Sequence, residues 1–180
     1  RVFPTIAQGG DVWISFTYME EGPAADHWSG MTIYNDSGTE GAFVGKPYNA
    51  EFCGLGNLPD GDVLTDIPYT EPNHFLVRYV VKGDESDVYL WINPDESDRY
   101  DTYDAGGEGI DNINNIAEIR LRRGGADGSA YYDNIWISSI PALPPAGAGR
   151  VDLRINDPDR PEELPAWDVI SIDQFDDAEG

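Results

Sequence analysis

Hydrophobic and polar residues alternate with a period of two along much of this chain. Over residues 12–18, Val12, Ile14, Phe16 and Tyr18 fall on one face and Trp13, Ser15 and Thr17 on the other, which predicts a half-buried strand. Residues 31–34 repeat the pattern and stop at Asn35-Asp36-Ser37-Gly38, a turn sequence. Residues 75–81 and 88–92 are two β-rich runs joined by the polar stretch 82–87, which predicts a hairpin. Ala117-Glu118-Ile119-Arg120-Leu121-Arg122 alternates cleanly before a glycine-rich turn, and 132–138 closes the series. One helical turn over 110–117 is the only departure, and four Asn/Asp residues weaken it.

Short strands between Gly/Asp/Asn turns predict an all-β fold, an antiparallel two-sheet jelly-roll sandwich spanning 1–139. The segment 140–150, rich in Pro, Gly and Ala, reads as a linker. Residues 151–180 form a C-terminal extension with a strand near 151–155 and a second apolar stretch carrying Val169, Ile170, Ile172 and Phe175. Such a tail needs a surface to bury against.

Charge narrows the partners. Thirty-four acids against eleven bases leave a net charge of −23, which argues against nucleic acid, because phosphate binding needs a basic surface. Only Lys46 and Lys82 are lysines, the pattern of a protein kept soluble in salty water or of a calcium-loaded extracellular one. Apolar runs of four or five residues are too short to span a membrane. The start at Arg1, with no basic-then-apolar stretch, is what a chain relieved of a signal peptide would show. Cys53 is alone and sits among small residues, as expected of an inert buried thiol.

Several segments carry a resemblance. Val12-Trp13-Ile14-Ser15-Phe16, Phe75-Leu76-Val77-Arg78-Tyr79, Leu90-Trp91-Ile92-Asn93-Pro94-Asp95 and Tyr132-Asp133-Asn134-Ile135-Trp136 follow the order of strands in laminin-G-like (concanavalin A-like) jelly-roll domains of large secreted bacterial proteins. The resemblance covers about 11–139. It implies two curved sheets, often with structural calcium, an extracellular or cell-surface location, and glycan or protein binding. The opening strand of such domains is absent from 1–10, yet Ile172-Asp173-Gln174-Phe175-Asp176 near the C-terminus looks like it. That strand would fold back, exchange head-to-tail with an identical subunit through Ile170, Ile172 and Phe175, or begin a further domain.

No catalytic constellation stands out. The Glu-x-Asp-x-x-Glu spacing of glucanases with this general fold is absent, no carboxylate pair is singled out, and His27 and His74 complete no triad. The expectation is a chain that is not an enzyme. Calcium needs about six to eight oxygen ligands, and the acid-rich loop with Asp95, Asp98, Asp101 and Asp104 could supply several. Carbohydrate sites stack sugar faces on aromatics beside planar polar groups. Parity turns Tyr89 and Trp91 outward on one strand and Arg120 and Arg122 outward on another. If those strands share a sheet, Trp91, Arg120 and Arg122 form a patch for an acidic polysaccharide, with Tyr89 and Tyr103 nearby; the alternative is that the arginines pair with acids across strands. Trp13, Trp28 and Trp136 read as sandwich fillers. A secreted, lectin-like carbohydrate-binding module is the leading expectation. The alternative is a structural or adhesive subunit assembled head-to-tail by strand exchange.

Overall fold

The computed structural model describes residues 10–22, 25–94, 102–111, 113–125, 128–138 and 153–156. Ten strands in chain order make the body: β1 Asp11–Glu21, β2 His27–Tyr34, β3 Glu40–Lys46, β4 Phe52–Gly56, β5 Val63–Pro68, β6 Asn73–Lys82, β7 Glu85–Ile92, β8 Ala105–Asp111, β9 Glu118–Gly125 and β10 Ser129–Ser138. An eleventh, β11 Leu153–Asn156, adds along Ser129–Tyr132 of β10. The rest of 140–180, including Ile170, Ile172 and Phe175, lies outside the described residues.

Two antiparallel sheets pack face to face. One has the order β11-β10-β1-β6-β7-β8, the other β5-β4-β3-β2-β9. The alternating residues Val12, Ile14, Phe16 and Tyr18 point inward as their parity requires, and the rings of Phe16, Tyr18, Phe75 and Tyr132 meet there at 5.2–6.3 Å. A polar pin crosses this core. Glu20 of β1 is fully buried and contacts His27 Nε2 at 2.6 Å, while accepting hydrogen bonds from Tyr18 and from Ser29 of β2. Arg123 of β9 lies 3.6 Å away. A buried carboxylate is retained only when it is paired and hydrogen-bonded in this way. Burial lowers the pKa of Lys46, whose Nζ donates to the His27 carbonyl at 2.8 Å.

Three local expectations are corrected. Residues 113–117 form no helical turn: β8 runs on to Asp111, and Asn115 accepts the Asp36 amide at 2.9 Å instead of continuing a helix. The β6–β7 loop is shorter than 82–87: Lys82 pairs with Glu85 directly, leaving Gly83, at φ +59°, and Asp84 to turn the chain. Trp13 and Trp28 do not fill the sandwich. Trp13 stacks on Trp91 on the outward face of the six-stranded sheet, with Leu76 and Tyr89. Trp28 lies on the outward face of the other sheet.

Candidate functional site

The outward face of the five-stranded sheet is unusually bare. Gly30 of β2, Gly45 of β3 and Gly54 of β4 are register partners in turn, and Gly124 of β9 faces Trp28. Missing Cβ atoms let neighbouring rings approach the sheet closely. A Cβ on Gly124 would meet the Trp28 indole at 2.7–2.8 Å, and one on Gly30 would meet Phe43 Cζ at 2.7 Å. Trp28 and Phe43 contact edge to face, with centroids 5.7 Å apart. They lie against a cleft of about 320 Å³ whose rim is formed by the loop residues Pro47 and Tyr48 on one side and Asn57 and Asp62 on another.

The polar wall is a single connected group. Arg122 of β9 sits 4.9 Å over the Trp28 ring and donates through Nη1 to the Tyr34 hydroxyl at 2.5 Å and to Glu40 Oε1 at 3.1 Å. Asn57 Nδ2 donates to the same oxygen at 2.8 Å, and the Tyr34 hydroxyl to Glu40 Oε2 at 3.1 Å. Burial raises the Tyr34 pKa; the positive charge of Arg122 opposes the shift and the negative charge of Glu40 adds to it. Three donors converge on Glu40, which holds the carboxylate in one place. Asp62, by contrast, is exposed and has no hydrogen bond or ion pair among the described residues. Tyr48 is 58% exposed. The residues flanking the site explain its rigidity: His27 and Ser29 on either side of Trp28, and Arg123 beside Arg122, are the inward residues that hold the Glu20 pin.

Trp91 and the two arginines do not form one patch. Trp91 belongs to β7 in the six-stranded sheet, Arg120 and Arg122 to β9 in the other, so the sandwich separates them. Trp91 is outward by parity yet only 4% exposed, because Trp13 stacks on it at 5.6 Å and its Nε1 donates to the Thr102 carbonyl. Tyr89 and the half-exposed Tyr103 pack beside it, with centroids 5.0 Å apart. The grip on acidic sugars is lost as well. Arg120 donates twice to Glu118 at 2.8 Å and covers the Tyr34 ring at 4.1 Å, and Arg122 is engaged by Glu40. Trp28, Tyr48, Glu40, Asn57 and Asp62 were not among the expected residues. The one signal for them was the aromatic–glycine partnership of Trp28 and Gly124, which appears only once the strands are in register.

The acid-rich loop divides at the edge of the described residues. Asp95, Asp98 and Asp101 lie outside them, and Asp104 accepts the Ile92 amide at 2.7 Å, pinning the end of β7. Among the described residues no three His, Cys, Asp or Glu side chains come together as a metal site would require.

No family model matches the chain, and no curated protein matches it. Among solved structures, the chain is similar to the catalytic domain of the glycoside hydrolase family 131 protein from Coprinopsis cinerea. That likeness has a TM-score of 0.37 at 13% identity and covers 77% of this chain and 60% of that one. This chain therefore spans about three fifths of that domain's length. One expectation is corrected here. The chain was read as not an enzyme, whereas the solved chain it is similar to is itself a catalytic domain, and that expectation is withdrawn.

Proposed function

We propose that the cleft on the five-stranded sheet binds a carbohydrate chain, in a laminin-G-like sandwich that works outside the cell. One observation carries the proposal: the rings of Trp28 and Phe43, packed edge to face against a glycine-bare sheet, stand beside a wall of Arg122, Glu40 and Asn57. Sugars present apolar C–H faces and a ring of hydroxyls, so a ring floor with planar hydrogen-bonding groups at its edge matches both. Tyr48, exposed on the rim, adds a platform that the fold itself does not need.

The test is retention in affinity gels containing neutral, amine-bearing and acidic polysaccharides, followed by calorimetry on those retained. Trp28→Ala and Tyr48→Ala should each weaken binding about tenfold or more, or about 1.4 kcal/mol. Tyr48→Ala should leave the melting temperature unchanged. Trp91→Ala should do the reverse, costing about 3 kcal/mol of stability through the lost stack with Trp13 while leaving the affinity of the folded protein intact. Reducing ends released in the same mixtures would report turnover. The proposal fails if no polysaccharide is retained, or if Tyr48→Ala and Trp28→Ala bind as well as the parent.

A further inference from the structure

We infer that the ligand of this cleft is a polysaccharide bearing free amines, a polymer of amino sugars, rather than an acidic one. The inference rests on the carbohydrate reading above and adds the chemistry of the sugar. Arg122 is the one cation lining the cleft, and its charge is already opposed by Glu40 at 3.1 Å. Arg120, on the same face, is held by both oxygens of Glu118. A uronate or sulfate would have to displace these carboxylates, in a molecule whose net charge of −23 repels it. The carboxylate left over is Asp62. It lies over Gly56, where a Cβ would meet its Oδ1 at 3.1 Å, and shares the cleft rim with the exposed ring of Tyr48. A polymer with an amine on each sugar can serve both sides of the cleft, one ammonium pairing with the free carboxylate and another resting on the Tyr48 ring. The surrounding acids would speed its arrival.

The decisive experiment compares one oligosaccharide in two forms, a glucosamine oligomer with free amines and the same oligomer fully N-acetylated, measured by calorimetry with the full chain. Tighter binding of the amine form, by tenfold or more, is expected, weakening with added salt. Asp62→Asn should remove most of that preference. Asp84→Asn, an exposed acid at the β6–β7 turn on the other sheet, should not. Equal losses in the two variants would mean that the polymer is held only by the general negative charge, and would overturn the inference. So would equal binding of both oligomer forms, or a preference for a uronate polymer; in either case the carbohydrate reading would survive. If neither form nor any other polysaccharide binds, that underlying reading fails as well.

Discussion

At the scale of single residues, the molecule spends its buried polar groups on joining the sheets. Glu20, His27, Ser29, Lys46 and Arg123 are all inside, drawn from β1, β2, β3 and β9, and Cys53 lies close enough to feel the Glu20 charge. Burial first, and then that charge, push the Cys53 thiol up to about 12. Burial likewise pushes the Tyr79 phenol up to about 12, although its hydrogen bond from the Ala42 amide pulls the other way. Both groups are held protonated in the folded state and release their protons more easily when unfolded. Their contribution is therefore complete below the unfolded values of 9.0 and 10.0 and is lost as pH rises toward about 12. Two outcomes follow from that sign. Cys53 in the native protein should resist a thiol-specific disulfide reagent at pH 8 and react once denaturant is added. The melting temperature should fall steadily between pH 9 and 12. A native thiol that reacts within minutes at pH 8 would contradict the buried placement of Cys53.

At the scale of elements, the strands divide into those readable from alternation and those that are not. β1, β6, β7 and β9 carry large apolar residues at every second position, and their inward faces are as parity predicts, whereas β10 changes phase at a register shift near Asn134, so that Tyr132 and then Ile135 and Ile137 pack on the core. β3, β4, β5 and β8 were not predicted. In β3, β4 and β8 glycines such as Gly45, Gly54 and Gly106 interrupt the alternation, which weakens the strand signal, and those of β3 and β4 help to bare the five-stranded sheet; β5, Val63–Pro68, is short and ends in proline. Glycine hid the site as well. Arg122 was reachable by parity on a legible strand; Trp28 was not, because its role depends on Gly124 across a register that the sequence does not state. Nor does parity report that Trp13 and Trp91 cover each other. The glycines make separable predictions. Gly30→Ala would set a Cβ 2.2 Å from the Val44 carbonyl oxygen, so backbone must move, at a cost of about 2–3 kcal/mol seen in urea denaturation. Gly124→Ala would meet only the Trp28 ring, which can lift away. It should shift indole fluorescence and weaken sugar binding about tenfold, with a small change in stability. Equal destabilisation by the two substitutions would mean that Trp28 is locked into the fold rather than laid on it.

At the scale of the whole molecule, the distribution of charge matters more than its total. Of the two lysines, Lys46 is fully buried, and Lys82 is paired with Asp87. Arg78, Arg120 and Arg122 are each paired with an acid, Asp11, Glu118 and Glu40 in turn, and Arg123 faces Glu20 inside. Every base whose side chain is described is thus already engaged. Salt acts in two ways. It weakens the exposed pair of Lys82 and the three partly exposed arginine pairs, the latter worth about 0.5 kcal/mol each, so about 1.5 kcal/mol is at stake in those three. It also screens the repulsion among an excess of 23 negative charges, which opposes folding across the whole surface. With so few pairs and so large an excess, the second term wins. The melting temperature should therefore rise by roughly 5 °C or more between 20 mM and 1 M sodium chloride, since each 1 kcal/mol is worth about 2–4 °C at this chain length. Sodium sulfate strengthens apolar burial in any protein, so the comparison uses chloride and is read at two pH values. At pH 4, where much of the surplus charge is neutralised, the gain should shrink. A melting temperature that falls with sodium chloride at pH 7 would mean that the pairs outweigh the repulsion, and that the acidic surface is no adaptation to a salty medium.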